Sequence, residues 1–390
     1  MNTDLLIQQP PRISIDEGLD LLKDNYDISG TLHPIWGERD LNFVVKVNDK
    51  STYVLKIING TETTVEVDFQ VSALEHLFTY SPNLNVPLIK PLNNGKSFGK
   101  FINLNQQSNF FYLITFLEGI HLNECTFSRK TFQSIGEQSA NITLGLRGFF
   151  HPGAARKLFW DVRFINDFLP FSKLIKNNSL RKAIQTFIPK FQSEVIPLLF
   201  SMRTQVIHHD TNPSNVLINC HEPEEVKGLI DFGDIIHGSI AQEVAVAAAE
   251  MSLSDSLTIQ QIVGILKGFD KIIPLEENEI NIQYDLIVAR KILGVLIGIL
   301  RNSNEISSCI QKDYIELYEP SLETLLSIGP EIALKTFRSA CRFPEYIPSL
   351  PLKSGSNKSI TDALLLRRKE VLGKDLQLSY DKVVHTVRGK

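Results

Sequence analysis

The segment Val206-Ile207-His208-His209-Asp210-Thr211-Asn212-Pro213-Ser214-Asn215, with Leu229-Ile230-Asp231-Phe232-Gly233-Asp234 behind it, constrains this chain more than any other stretch. It sets an Asp and an Asn five positions apart, and a second Asp follows 16 residues later behind a short apolar run. Two β-rich runs within 205–233 flank the turn-like His221-Glu222-Pro223-Glu224-Glu225, which predicts a hairpin with the acids projecting from it. Phosphoryl transfer from a nucleotide needs a carboxylate beside the attacking hydroxyl, and an amide oxygen and a carboxylate for a magnesium ion. Asp210 suits the first role, with Asn215 and Asp231 as metal ligands. His208 is expected to hold the loop by hydrogen bonds. Asn-Pro-Ser-Asn is also ordinary turn chemistry, but a turn alone gives no reason for the apolar run that ends in Asp-Phe-Gly-Asp.

Upstream, residues 14–26 predict an amphipathic helix opened by a Ser14/Glu17 capping box. Residues 42–47 and 52–57 read as paired strands, 65–78 as a helix (Val67, Val71, Leu74, Phe78), and 86–90, 97–102 and 110–116 as further strands. A small antiparallel sheet with one helix is the layout of a kinase N-lobe. Lys56 ends the run Tyr53-Val54-Leu55-Lys56-Ile57. Alone, a strand lysine points to solvent; beside the acidic segment it reads as the lysine that pairs with nucleotide phosphates. The turn Trp36-Gly37-Glu38-Arg39-Asp40-Leu41-Asn42 has one glycine, a thin phosphate loop whose backbone N–H groups near Gly37 would cover the phosphates. Glu66, Glu75 and Gln70 are all candidates to orient Lys56, and spacing does not choose among them.

Beyond Glu118-Gly119 the pattern is helical at about 128–144, 154–165, 178–202, 241–253, 257–269, 280–302 and 309–328, and the stretch 348–359 looks like a linker. We expect an α+β fold of the protein-kinase-like two-lobe type: a small antiparallel-sheet N-lobe over 12–118, a mostly helical C-lobe over 119–347, and a separate tail over 348–390. The net charge of −4 argues against a nucleic-acid surface. The longest apolar run, 292–300, is too short to span a membrane and predicts a buried helix. The four cysteines are scattered, without a CxxC, which predicts reduced thiols, no metal cluster and a cytoplasmic setting.

These residues resemble the aminoglycoside phosphotransferase and choline kinase superfamily, whose loop reads H-G-D-x-x-x-x-N and whose metal segment reads I-D-[FW]-x-[DE]. Here His209 stands where the family has glycine. The Gly37–Phe43 loop, the strand at Lys56, the hinge Tyr112–Gly119 and the run Phe159-Trp160-Asp161-Val162 are most similar to the hydroxylysine kinase-like branch. The resemblance implies ATP or GTP as donor, Mg²⁺ as cofactor, Gly37 and Asn42 at the phosphates, Gln70 as the Lys56 partner, and the Thr115 carbonyl and Leu117 N–H at the purine base. The tail, with Arg367-Arg368-Lys369-Glu370 and His385-Thr386-Val387-Arg388-Gly389, resembles the opening of a class III PLP-dependent aminotransferase-like domain. That implies a linked phospho-lyase partner and an amino alcohol as the kinase substrate.

An acceptor of that kind wants carboxylates and an aromatic face for its ammonium, and a hydroxy amino acid also wants a cation. Asp234, Glu243, Asp161 and Trp160 are candidates for the first and Arg290 for the second, with Arg156 and Arg147 as alternatives. The expected activity is transfer of a nucleotide γ-phosphate to the hydroxyl of a small amino alcohol or hydroxy amino acid. The alternatives are an aminoglycoside, choline/ethanolamine or homoserine phosphotransferase, or a catalytically weak nucleotide-binding module.

Overall fold

The computed structural model describes residues 10–35, 37–125, 128–219, 221–252, 258–303 and 314–344. The chain divides into two compact units, Met1–Glu345 and Tyr346–Lys390. All the described residues lie in the first. The linker and aminotransferase-like tail expected over 348–390 lie outside the described residues, as do Cys220 and Cys309.

Helix α1 (Ile15–Tyr26) opens with the expected capping box: Glu17 N–H donates to Ser14 Oγ at 3.1 Å, and Ser14 N–H donates to Glu17 Oε2 at 2.8 Å. An antiparallel sheet follows, built from β1 (Thr31–Ile35), β2 (Leu41–Val47), β3 (Lys50–Ile57), β4 (Ile89–Lys90), β5 (Gly99–Ile102) and β6 (Ser108–Thr115), in the order β1-β2-β3-β6-β4 with β5 also on β6. Strand β1 is absent from the sequence reading. It carries Pro34, which fits only at an edge, and it sits there, paired to β2 alone. Helix α2 (Thr64–Tyr80) buries Val67, Val71 and Leu74 as expected, but Phe78 lies exposed and Leu77 takes the buried position instead.

Period-2 alternation places Lys56. On β6, Phe111 and Leu113 face the core shared with α1, while Phe110, Tyr112 and Ile114 face the larger core that includes α2. On β3, Leu55 and Ile57 join the α1 core, so Lys56 between them projects to the opposite face. Lys56 also lies opposite Asn42 on one side and Tyr112 on the other.

The C-lobe begins with β7 (Ile120–His121), which pairs with β9 (Val216–Asn219). The predicted hairpin forms as β9 and β10 (Glu222–Leu229). Beside it, β8 (Thr204–Ile207) pairs with β11 (Ile236–Ser239), so the loop carrying Asp210 and the segment carrying Asp231 leave adjacent ladders. Around them pack α3 (Arg129–Gly145), α4 (Asn178–Lys190), α5 (Ile240–Met251), α6 (Thr258–Ile272), α7 (Gln283–Ser303) and α8 (Tyr314–Ala340). The helix expected at 154–165 is instead two 3₁₀ stretches, Pro152–Ala155 and Val162–Leu174. Pro170 inside the second cannot donate to an α-helical ladder. The apolar run 292–300 is buried within α7, and no helix among the described residues is long and apolar enough to cross a membrane. Cys341 is a buried free thiol, whereas Cys125 is disulfide-bonded, against the expectation of reduced thiols throughout.

Helices α3 and α6 approach at backbone distance. A Cβ on Gly268 would stand 1.9 Å from the Gln133 carbonyl oxygen, and one on Gly136 would stand 2.2 Å from that of Ile265. Overpacking of this kind costs about 1–3 kcal/mol. Gly268→Ala is therefore expected to lower the unfolding temperature by several degrees in calorimetry.

Candidate active site

The loop after β8 turns at His209, whose φ of 64° is left-handed. Glycine takes that conformation without cost and histidine more readily than most residues, which is the physical reason the resembled family has glycine there. The turn aims the His209 N–H at Glu243 Oε2, 2.8 Å away, while Ser139 Oγ donates to Glu243 Oε1 at 2.9 Å. Burial holds the Glu243 carboxyl up at about 7, against these hydrogen bonds that lower it. Burial likewise pushes His208 down to about 4 and His209 to about 3, so both imidazoles are neutral. His208 Nδ1 accepts from the Asp210 N–H at 3.3 Å, and its ring packs edge-on to Phe232 at 4.7 Å. This is the loop-holding position expected of it.

Asp210 accepts from Asn212 Nδ2 at 2.9 Å and from Asn215 Nδ2 at 2.6 Å. The second bond fixes the Asn215 amide with its nitrogen toward Asp210, leaving its oxygen for another partner. Burial first, and the negative Asp234 next, raise the Asp210 carboxyl well above the usual range, with Arg290 opposing them at 4.0 Å. Asp231 follows β10 at a φ of 62° and accepts from Gly233 N–H and Lys56 Nζ, each at 3.0 Å. Burial works to raise its carboxyl, but the charge and hydrogen bond of Lys56 prevail and bring it to about 2. Asp231 is therefore an anion at any ordinary pH, and with the Asn215 oxygen it forms the hard oxygen donor set that suits a small divalent cation.

The Lys56 partner departs from expectation. Its ammonium lies 3.0 Å from Asp231 and 4.0 Å from Asp40 Oδ2, on the turn before β2. Gln70 is buried but donates to Glu62 at 3.3 Å and accepts from the Tyr112 hydroxyl at 3.3 Å. Glu66 is used in the N-terminal capping box of α2, and Glu75 bonds Ser97. None of the three helix candidates bonds Lys56, because the turn at Asp40 brings a carboxylate closer. Glu62 continues the chain to Arg156 at 3.3 Å, and Arg156 donates to the Ile235 carbonyl at 3.0 Å and to that of Gly233. Arg156 is thus a brace on the Asp231 segment rather than an open cation.

The phosphate-loop turn is built around Gly37, where a Cβ would stand 2.3 Å from the Asp40 carbonyl oxygen and 2.6 Å from Asn42 Nδ2. Asn42 is buried with its Oδ1 unpartnered. Arg39 pairs with Asp234. In the hinge, Thr115 N–H donates to the Leu88 carbonyl at 2.9 Å and Phe116 N–H to that of Thr52 at 2.9 Å, with Leu117 just beyond the strand.

The acceptor candidates divide. Arg290 is buried, bonds Glu250 at 2.7 Å, donates to the Trp160 carbonyl, and lies over the Trp160 ring at 4.6 Å. It approaches Asp210, so Trp160 and Arg290 do stand beside the loop. Asp161 is fully buried and committed to Arg163 at 2.7 Å and Gln242 at 3.2 Å, and Glu243 is committed to the loop backbone and Ser139. Both carboxylates are engaged by protein donors. The sequence reading missed Glu250, which pairs with Arg290 and Tyr318, although a lone acid in the run Ala247-Ala248-Ala249-Glu250 carries the same signal that singled out Arg290.

The family model of the phosphotransferase enzyme family matches residues 31–275, spanning the sheet, the hinge, the Asp210 loop and α6. The chain belongs to the phosphotransferase enzyme family. It is 23% identical over 299 residues to a hydroxylysine kinase of Danio rerio, covering 73% of this chain and 82% of that relative. Among solved structures, a microcompartment-associated aminopropanol kinase superposes with a TM-score of 0.58 at 13% identity, over 84% of this chain and 99% of that one. The amicoumacin kinase hAmiN, in complex with AMP-PNP, Ca²⁺ and Ami, does so with a TM-score of 0.57 at 13% identity, over 77% and 89%. Family membership makes this chain a phosphotransferase that acts on a hydroxyl group of a small molecule, and the solved structures share its two-lobe fold.

Because burial raises the Glu243 carboxyl to about 7 in the folded state, its contribution to stability is full below about pH 4.5 and is lost as pH rises through 7. Glu243→Gln, permanently neutral, is therefore expected to gain on the wild type by roughly 2–3 kcal/mol between pH 5 and pH 8. Denaturant midpoints of the two proteins across that range measure it.

Proposed function

We propose that this chain transfers the γ-phosphate of magnesium-bound ATP or GTP to the hydroxyl of a hydroxylysine-like hydroxy amino acid or a related amino alcohol. The observation that carries this reading is the convergence of Asp210, the Asn215 amide fixed against it, Asp231 and Lys56 on one cleft, linked by contacts of 2.6 Å and 3.0 Å. Asp210 accepts the acceptor's hydroxyl and orients it in line with the phosphate. Its raised proton affinity suits a group that takes the hydroxyl proton late in transfer. Lys56 holds the α/β-phosphates, turning from Asp231 when they arrive, and the Gly37 turn and Asn42 cover them. Arg39, freed from Asp234, adds positive charge there. Thr115 and Leu117 meet the base, and Asn215 and Asp231 hold the Mg²⁺, which neutralises phosphate charge when bound.

Two kinds of support point to the acceptor. The matched relative is named for hydroxylysine and the superposed structure for aminopropanol, both amino-bearing alcohols. Asp210 also feels the negative charge of Asp234, which, once Arg39 turns to the phosphates, suits a cationic acceptor better than a neutral sugar. Aminoglycosides, choline, ethanolamine and homoserine are the competing acceptors.

A coupled nucleotide-consumption screen over hydroxy amino acids, amino alcohols and aminoglycosides, run with ATP and with GTP, tests the reading. Turnover should concentrate on acceptors with an amine next to the hydroxyl-bearing carbon. The absence of thermal stabilisation by either magnesium nucleotide would overturn it. Asp210→Ala is expected to lower kcat by about a thousandfold while nucleotide affinity stays within about threefold. Asp231→Ala is expected to abolish the metal dependence of nucleotide binding in calorimetric titration.

A further inference from the structure

A buried polar chain runs from the strand of Lys56 to the segment of Asp231. Tyr112 lies opposite Lys56 on β6, and its hydroxyl donates to Gln70 Oε1 at 3.3 Å. Gln70 Nε2 donates to Glu62 Oε2 at 3.3 Å, and Arg156 Nη1 donates to the same oxygen at 3.3 Å. The other two guanidinium nitrogens go to backbone: Nε donates to the Ile235 carbonyl at 3.0 Å and Nη2 to the Gly233 carbonyl. Tyr112 and Gln70 are 2% exposed, and the side chains of Arg156 and Glu62 are 3% and 9% exposed, so water competes little for these bonds. A planar guanidinium with each nitrogen on a different acceptor is held in one orientation.

The far end of the chain bears on Asp231. Gly233 accepts from Arg156 through its carbonyl and donates its own N–H to Asp231 Oδ1 at 3.0 Å. Asp231 stands at a φ of 62°, a conformation that a residue with a side chain keeps only where its surroundings impose it. Arg156 supplies that constraint two and four residues downstream, at Gly233 and Ile235. The same Oδ1 also takes the Lys56 ammonium. In the functional reading above Lys56 turns away to the phosphates, and the Gly233 N–H then holds the carboxylate.

We propose that Glu62 and Arg156 are positioning residues for the divalent metal: acting through Gly233, they keep the Asp231 carboxylate in place to bind the ion. In two-lobe kinases an acid on this helix supports the phosphate lysine. Here the support from Gln70 on α2, and from Glu62 just before it, goes to the metal segment instead. The inference rests on the functional reading above for the role of Asp231. It also carries a proton dependence. Glu62 faces Arg156, Arg39 and Asp40 on the turn before β2, and Glu66 on α2. Burial outweighs the two arginines and raises its carboxyl to about 7, so Glu62 is mostly anionic at pH 8 and mostly neutral at pH 6, where Arg156 loses a charged partner.

Calorimetric titration of ATP and of GTP into the whole chain, in magnesium and in EDTA, tests this. The ratio of the two affinities reads the metal's contribution without any turnover. Arg156→Met is expected to lower that ratio by about tenfold or more, the usual loss when a group that orients a metal ligand is removed, with affinity in EDTA within about twofold. Arg156→Lys keeps the charge but not the three-way fork and should not restore the ratio. Glu62→Gln is expected to lower it by about three- to tenfold at pH 8 and to match the wild type at pH 6. An unchanged ratio in Arg156→Met, whether both affinities hold or fall together, overturns the proposal. So does a gap between wild type and Glu62→Gln that is the same at pH 6 and pH 8, a comparison that decides the matter even where Arg156→Met fails to fold. Wild-type affinity indifferent to magnesium for both nucleotides refutes the metal role of Asp231, and the functional reading with it. A magnesium-dependent wild type with unaffected variants refutes the positioning alone.

Discussion

Lys56 is a buried ammonium, and the site depends on the need to compensate it. An unpaired charge in a protein interior is prohibitively costly, while paired charges are tolerable only with good geometry. The chain answers by alternating signs across the cleft: Lys56 with Asp231, Arg39 with Asp234, Glu38 with Arg301, Glu62 with Arg156. In each pair one partner comes from the residues before β4 and the other from residues beyond the hinge. The electrostatics that a phosphate needs also hold the two halves of the cleft together.

Much of this was legible in the sequence, for identifiable reasons. The hairpin between Asn215 and Asp231 is encoded locally, by an apolar run, a turn and a second apolar run, so it forms where the spacing predicts it. The Ser14 capping box and the burial of the 292–300 run are likewise short-range signals, and both appear where expected. The partner of Lys56 was not legible. Gln70, Glu66 and Glu75 sit on the helix that such a partner would occupy, but Asp40 reaches Lys56 through a turn whose shape depends on Gly37 accommodating the Asp40 carbonyl. No periodicity records a contact of that kind.

Asp161 and Glu243 make a related point. Both are buried acids, and both accept from protein donors: Asp161 from Arg163 and Gln242, Glu243 from Ser139 and the His209 N–H. A carboxylate buried beside an N–H is indistinguishable in sequence from one that faces a ligand. What separates them is the count of free lone pairs, which only coordinates supply.

The turn before β2 has a further property. Glu38, Arg39 and Asp40 are consecutive, yet they reach three separate places: Glu38 to Arg301 and Tyr314, Arg39 to Asp234, and Asp40 to the Asn59 N–H at 3.0 Å. Surface turns ordinarily absorb insertions and deletions with little loss. Here one residue added or removed would shift all three side chains out of phase at once, so the length of this turn is fixed as tightly as that of a helix in the core.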